Sequence, residues 1–328
     1  MRHLIELSGE SEILANAEAV AIGSLYGNFS SREPDGRALV LTSGTPYKEM
    51  ASRLALAWSV SEHLFSCEPD EMESRFAGLE LPGDTFRIRT SRLDDRHSPE
   101  EGVKLARHIG GLLSPKYKVD LKRPDVEVRI LMASKFHVGI LAGEIDRQSL
   151  ESRKSENRPF KHPISLHPKL ARALVNLTRV RKGETILDPF CGTGGILLEA
   201  GLVGCQALGG DIDARMVDGT VQNLKHYDVD NYKIKIMDVS DWSGENQVDA
   251  IATDPPYGRS ASTAKEPIGS LYKRAFEACH NVLKDSGRLA IVLPAKKHIA
   301  LAEDFILEDT YPVRVHRSLT RYFCIFRK

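Results

Sequence analysis

A chain of 328 residues, 41% hydrophobic and 27% charged, has the composition of a globular protein and the length for two or three domains. Forty-five basic against 45 acidic residues give a formal net charge of zero, which excludes a globally polycationic binder; affinity for nucleic acid must come from local clustering. Cys67, Cys191, Cys205, Cys279 and Cys324 are scattered with no CxxC or metal-ligand spacing, which argues against a disulfide framework or zinc module and for reduced thiols in a cytoplasmic protein.

The first residues, Met1 to Glu6, lack the apolar core of a signal peptide, and no 18-residue apolar run offers a membrane span. Residues 3–7 and 37–41 read as short strands, and residues 10–26 and 47–64 as helices from their spacing of Leu, Ala and Val. Residues 1–70 are thus expected to form a small α+β unit without a catalytic constellation. Residues 71–146 form a second α+β unit: a strand at 85–89, a helix opened by Pro99 and running towards Leu112, and strands at 126–131 and 135–140. Between Arg87 and Lys135, 12 Lys/Arg face seven Asp/Glu, so this unit is locally basic.

Charge becomes more lopsided from Arg147 to Lys182, with ten Lys/Arg against two Asp/Glu. Residues 147–161 are polar and aperiodic, the pattern of an exposed basic linker, and Arg153, Lys154 and Arg158 are its candidate phosphate contacts. Residues 169–180 return to helical spacing through Leu170, Leu174 and Leu177. Beyond Thr185, buried strands alternate with helices, the sign of a doubly wound α/β domain. The strands read as 185–187, 206–211, 232–237, 248–253 and 288–293. Two further strands, 313–315 and 322–326, lie too close for a crossover and must pair as a hairpin, leaving an antiparallel edge on a mostly parallel sheet.

Ligands in such sheets bind beyond the carboxyl ends of the strands. There the sequence places Asp188-Pro189-Phe190-Cys191-Gly192-Thr193-Gly194-Gly195, a strand-end carboxylate before a glycine-rich turn into a helix. It is neither GxGxxG nor a P-loop, and an Asp facing such a turn suits a cationic amino-acid moiety better than a pyrophosphate. Glu199 within that helix reads as structural. The next strand ends at Asp211, a position that serves ribose hydroxyls, with Ile212 beside it to cover an adenine face. Asp213 reads as a helix cap. Asp238, followed by Val239, ends the third strand and is placed to accept from an adenine amino group. After the fourth strand comes Asp254-Pro255-Pro256-Tyr257. Asp254 and the Pro255 carbonyl can accept hydrogen bonds from an exocyclic amine, Tyr257 can stack on the ring carrying it, and the prolines fix the backbone between them.

This combination resembles the class I S-adenosylmethionine-dependent methyltransferases, and Asp254-Pro255-Pro256-Tyr257 matches the [DNS]PP[YFW] signature of enzymes that methylate exocyclic amines of bases. The longer strings Leu187 to Gly195 and Asp254 to Ser260 resemble the archaeal tRNA (guanine-10 N2) methyltransferases and their eukaryotic relatives. The resemblance spans the whole chain, strongly over 158–260 and only in architecture over 1–150. It implies a ferredoxin-like domain (1–70), a THUMP domain (71–146), a basic linker (147–161) and a Rossmann-like catalytic domain (162–328). That last domain is expected to carry a seven-stranded sheet.

The implied cofactor is S-adenosylmethionine, held by Asp188, Pro189, Phe190, Cys191, Gly192, Thr193 and Gly194 at its methionine end, by Asp211 and Ile212, and by Asp238 and Val239, with Asp254 at the reacting end. A segment ahead of the glycine-rich turn, Phe160 to Pro168, takes the place of a further cofactor contact through Pro163, Ser165 and Leu166. Asp254, Pro255, Pro256 and Tyr257 are the implied catalytic residues, and Arg259 the implied RNA contact in the loop beyond them. The implied reaction is methylation of the exocyclic N2 of guanosine 10 in tRNA by a monomer without metal or membrane. The neighbouring guanine-6 N2 family usually carries Asn at the position of Asp254, which favours position 10. Methylation of N2 of guanine elsewhere in tRNA or rRNA, a DNA adenine-N6 activity and a non-catalytic tRNA-binding role are the alternatives; the intact Asp188, Asp211, Asp238 and Asp254 speak against the last. One or two transfers are equally open.

Overall fold

The computed structural model describes residues 1–162, 165–258, 266–316 and 319–328. They form two compact units, Met1–Ile145 and Asp146–Lys328.

In the first unit, β1 (Arg2–Leu7), α1 (Glu12–Gly23), β2 (Ser31–Asp35), β3 (Ala38–Thr42), α2 (Tyr47–Arg53), β4 (Ala57–Cys67), α3 (Met72–Ala77) and β5 (Thr85–Arg92) are followed by α4 (Pro99–Leu113), β6 (Lys118–Val119), β7 (Val126–Met132) and β8 (Phe136–Glu144). All eight strands join one sheet in the order β2-β3-β1-β4-β8-β7-β5-β6. The helix expected over 47–64 is therefore corrected. It ends at Arg53, where Leu54 turns to an extended ψ of 139°, and residues 57–67 form β4. Pairing decides this: β4 is antiparallel to β1 on one side and to β8 on the other. The same strand welds residues 1–70 and 71–146, expected as separate domains, into one sheet. The helix expected from Pro99 begins as its sequence dictates. Ser98 Oγ accepts the Glu101 N–H at 3.2 Å, the Glu101 carboxylate accepts the Ser98 N–H at 3.1 Å, and Pro99 takes the first turn.

Part of the basic charge of this unit is spent inside the sheet. Arg87 and Arg129 both pair with Glu127, and Arg129 also with Glu144. Lys104, Arg107, Lys116, Lys118, Lys122 and Arg123 stay exposed.

The second unit runs through α5 (Arg147–Ser152), α6 (Pro168–Leu177), β9 (Thr185–Asp188), α7 (Gly195–Leu202), β10 (Gln206–Asp211), α8 (Ala214–His226), β11 (Tyr232–Ile236), β12 (Val248–Thr253), α9 (Ile268–Val282), β13 (Leu283–Leu293), β14 (Ile306–His316) and β15 (Leu319–Arg327). Its seven-stranded sheet has the order β11-β10-β9-β12-β13-β15-β14. The pairs from β11 to β13 are parallel, and β15 alone is reversed, antiparallel to both β13 and β14. This is the expected mostly parallel sheet, and the reversed strand follows from the short β14–β15 connection. One core cluster packs α9 on the sheet through Tyr272, Phe276 and Cys279 against Ile251, Leu289, Ile291 and Phe326. The order reverses between β9 and β12, which opens the crevice where the carboxylates were expected. All five cysteines are buried, and none is in a disulfide. Among the described residues no helix is long and apolar enough to cross a membrane, and no cluster of His, Cys, Asp or Glu could hold a metal ion.

Candidate active site

The glycine-rich turn is built from its backbone outward. Gly192 and Gly194 adopt φ of 50° and 77°, a region in which a side chain is strained, and a Cβ on Gly194 would meet Thr220 Cγ2 at 2.8 Å. The turn is tied down from both neighbouring elements. Thr220 Oγ1 donates to the Gly192 carbonyl at 2.7 Å, and Asp211 Oδ2 accepts the Gly192 N–H at 3.0 Å. The other Asp211 oxygen takes the Asp213 N–H at 2.9 Å, so the carboxylate at the end of β10 fastens both the turn and its own loop. Burial raises the Asp211 pKa against these backbone hydrogen bonds. Asp213 caps α8 as expected, accepting the Arg215 N–H at 2.9 Å.

Asp188, at the end of β9, is 1% exposed. Its Oδ1 accepts from Thr253 Oγ1 at 2.7 Å and from the Phe190 N–H at 3.2 Å. Burial nevertheless pushes its pKa up to about 7, with the nearby Asp254 and Asp211 charges acting in the same direction.

Asp254, Pro255, Pro256 and Tyr257 leave β12 at the same edge. The Tyr257 hydroxyl donates to Asp254 Oδ1, and the Tyr272 hydroxyl of α9 donates to the Pro256 carbonyl at 3.0 Å. Burial raises the Asp254 pKa, while the Arg321 guanidinium and the Tyr257 hydroxyl oppose that rise. Arg321 reaches in from β15, its guanidinium carbon 5.4 Å from the centre of the Tyr257 ring. Its buried Nε has no hydrogen-bond partner among the described residues. Asp238 is engaged twice: it accepts the Ser240 N–H at 2.9 Å and Arg274 Nη1 at 2.7 Å. Burial pushes its pKa up, but the Arg274 hydrogen bond and charge outweigh that and hold it below the usual carboxylate range. Arg274 also binds Glu266, through Nε at 3.1 Å and Nη2 at 2.7 Å.

These groups converge on one cavity of about 830 Å³. The expected residues from Asp188 to Thr193, Asp211 and Ile212, Asp238 and Val239, and Asp254 to Tyr257 all line it. Ser165 and Leu166 line it as well, whereas Gly194 shapes the turn from behind. Pro163 and Arg259 lie outside the described residues. Reasoning from sequence missed Arg274, Glu266 and Arg321. Arg274 and Arg321 come from α9 and β15, far along the chain, and only the sheet order brings them to this edge.

The proposed RNA contacts in the linker need correction. Residues 147–161 are folded into the second unit as α5 and a short 3-10 turn, Ser155–Asn157. Arg153 is 6% exposed and grips the fully buried Glu199 at 2.7 and 3.0 Å; Arg172 joins the same carboxylate at 2.7 Å. Arg158 is 1% exposed. Neither Arg153 nor Arg158 offers its guanidinium to a phosphate chain. Lys154 is partly exposed but pairs with Glu151. Glu199 is structural, as expected.

The donor set fits S-adenosylmethionine: carboxylates for a cationic sulfonium and ammonium, a turn open to close backbone approach, and room for a ligand of that size in a cavity typical of cofactor sites. With the strand order, this defines the fold as that of the class I S-adenosylmethionine-dependent methyltransferases. The RMKL-like methyltransferase domain family matches residues 155–322. A Methanothermobacter thermautotrophicus protein named tRNA (guanine(10)-N2)-dimethyltransferase is 34% identical over 100% of both chains. A Pyrococcus abyssi protein of the same name is 36% identical over 98% of both. The crystal structure of TrmN from Thermus thermophilus superposes over 100% of both chains with a TM-score of 0.54 at 22% identity, a likeness of fold. The chain belongs to the archaeal tRNA (guanine(10)-N2)-dimethyltransferase family.

Proposed function

We propose that this protein transfers methyl groups from S-adenosylmethionine to the exocyclic N2 of guanosine 10 in tRNA. The observation that carries the reading is the half-buried Asp254 carboxylate, bonded by Tyr257 and faced by Arg321, on the same cavity as the glycine-rich turn and Asp211. S-adenosylmethionine supplies a methyl group already activated on sulfur, so the protein's task is mainly orientation. Guanine N2 is a poor nucleophile because its lone pair is delocalised into the ring. Asp254 and the Pro255 carbonyl accept hydrogen bonds from its two N–H groups and favour the pyramidal geometry that frees the lone pair, and the Asp254 carboxylate takes up the released proton. Arg321 occupies one face of the Tyr257 ring, which leaves the other face for the flipped-out guanine. The relatives' shared name supports a second transfer to the same nitrogen.

Asp211 fastens the turn and serves the ribose hydroxyls. Asp211→Ala is expected to weaken S-adenosylhomocysteine binding by about 1.5–3 kcal/mol, read by calorimetry; unchanged affinity would remove Asp211 from the cofactor site. The Arg321 charge lowers the pKa of Asp254. Removing it lets that pKa rise, so Arg321→Gln should move the acidic limb of the rate profile to higher pH. A limb that stays put or moves down would show that Arg321 does not act on Asp254.

Tethering the tRNA falls to the first unit, proposed as the THUMP-bearing half, where the exposed Lys104, Arg107, Lys116, Lys118, Lys122 and Arg123 support an electrostatic footprint. The buried cysteines, none of them in a disulfide, support a reducing, cytoplasmic setting. The test is a tRNA transcript carrying inosine at position 10, which differs from guanosine only by the missing exocyclic amine. The inosine transcript should accept no methyl at that nucleotide, whereas guanosine there is modified; equal incorporation into both would overturn the assignment.

A further inference from the structure

Arg158 lies buried behind the glycine-rich turn. Its segment is drawn in by α8: the Asn223 side chain accepts the Phe160 N–H at 2.9 Å and donates to the Phe160 and Thr193 carbonyls at 3.0 and 2.9 Å. The Phe160 ring then covers Gly219, where a Cβ would come within 2.1 Å of it. Arg158 Nε is satisfied by the Arg153 carbonyl at 2.8 Å. Its outer nitrogens are not. Nη1 makes only long contacts, 3.4 Å to Ser165 Oγ and 3.5 Å to Thr193 Oγ1, and the fully buried Nη2 has no partner among the described residues. An unpaired buried donor costs free energy, and on a cation the cost is larger. Glu199 does not answer it, because that carboxylate already holds Arg153 through both oxygens and Arg172 through one.

Position says what the guanidinium waits for. A Cβ built on Gly195 would lie 3.0 Å from Arg158 Nη1 and 3.4 Å from Nη2, so the guanidinium rests against the first residue of α7. Gly195, Ser165 and Thr193 all line the cofactor cavity. Free N–H groups of the first helical turn and a cation therefore meet at one corner, which favours an anion. The rest of the cavity is acidic, with Asp188, Asp211 and Asp254 on its wall, which disfavours a phosphate ester and suits a zwitterion.

We propose that Arg158 is a positioning residue for the α-carboxylate of the cofactor's methionine moiety, which it meets at the Ser165–Thr193 corner. This rests on the cofactor assignment above. Once that carboxylate is in place, Nη1 exchanges its long hydroxyl contacts for an ionic acceptor and the helix start gains an anion. The glycine at 195 leaves the guanidinium its place, since a Cβ there would press on Nη1.

The experiment compares two ligands by calorimetry on the full-length protein and on R158Q: S-adenosylhomocysteine and its decarboxylated analogue, 5′-(3-aminopropylthio)adenosine, which keeps the adenosine and the ammonium. Wild type should bind S-adenosylhomocysteine about 10–100-fold tighter than the analogue, the worth of one charge-assisted contact. R158Q should lose most of that preference while its affinity for the analogue stays within about twofold of wild type. R158K, which keeps the charge, should retain part of the preference and serves if R158Q does not fold. A wild type indifferent to the carboxylate, variants that keep the full preference, or equal weakening of both ligands would each overturn the proposal. Failure of wild type to bind either ligand would instead overturn the cofactor assignment beneath it.

Discussion

Asp254→Asn should cut single-turnover methyl transfer by about 10²–10⁴-fold and leave affinity for S-adenosylhomocysteine within about threefold. The substitution keeps the shape and removes the charge. Asparagine still offers one acceptor, but its amide presents N–H groups where the guanine amine also presents N–H groups, and it cannot take the released proton. The interaction strengthens only as the amine loses its conjugation, so the loss belongs to the transition state rather than to binding. Tyr257, which donates to Asp254, loses an ionic acceptor but keeps its ring in place. A single-turnover rate close to wild type would show that Asp254 only ends a strand.

The second large effect is on stability. Glu199 is fully buried and holds two guanidinium groups, Arg153 of the segment before α6 and Arg172 of α6, against α7. Glu199→Ala leaves both cations buried without their carboxylate, a change that costs about 3–5 kcal/mol. For a unit of this size that corresponds to a melting temperature lower by about 6–20 °C. Thermal denaturation followed by circular dichroism reads it directly; a shift under about 2 °C would mean that water or rearrangement satisfies both arginines. Glu199 belongs to α7, the helix that the glycine-rich turn opens, so the damage should extend to cofactor binding.

The catalytic half was largely legible because its signals are local. Strand-end carboxylates sit directly after apolar runs, two of them ahead of a proline, and Asp188, Asp211, Asp238 and Asp254 all reach the cavity. The reversed β15 was readable from the short stretch before it. What failed depended on distant partners. Residues 57–64 continue the helical spacing that starts at Tyr47, and only β1 and β8 on either side decide for β4. Arg153 and Arg158 looked like solvent-facing linker charge because Glu199 and the Arg153 carbonyl, which hold them inward, announce nothing in sequence. Asp238 looked free for an adenine amine, yet Arg274, 36 residues downstream, already shares it. Charge counted along the chain says how much there is, not which face it occupies.

The methylated nucleotide is identified by incubating the protein with methyl-labelled S-adenosylmethionine and an unmodified tRNA transcript, then locating the label by nuclease digestion and mass spectrometry of the nucleosides. Label is expected at a single nucleotide, guanosine 10, as N2-methylguanosine passing to N2,N2-dimethylguanosine. Label on another nucleotide, on another atom of guanosine 10, or on no nucleotide of a folded transcript would contradict the proposed function.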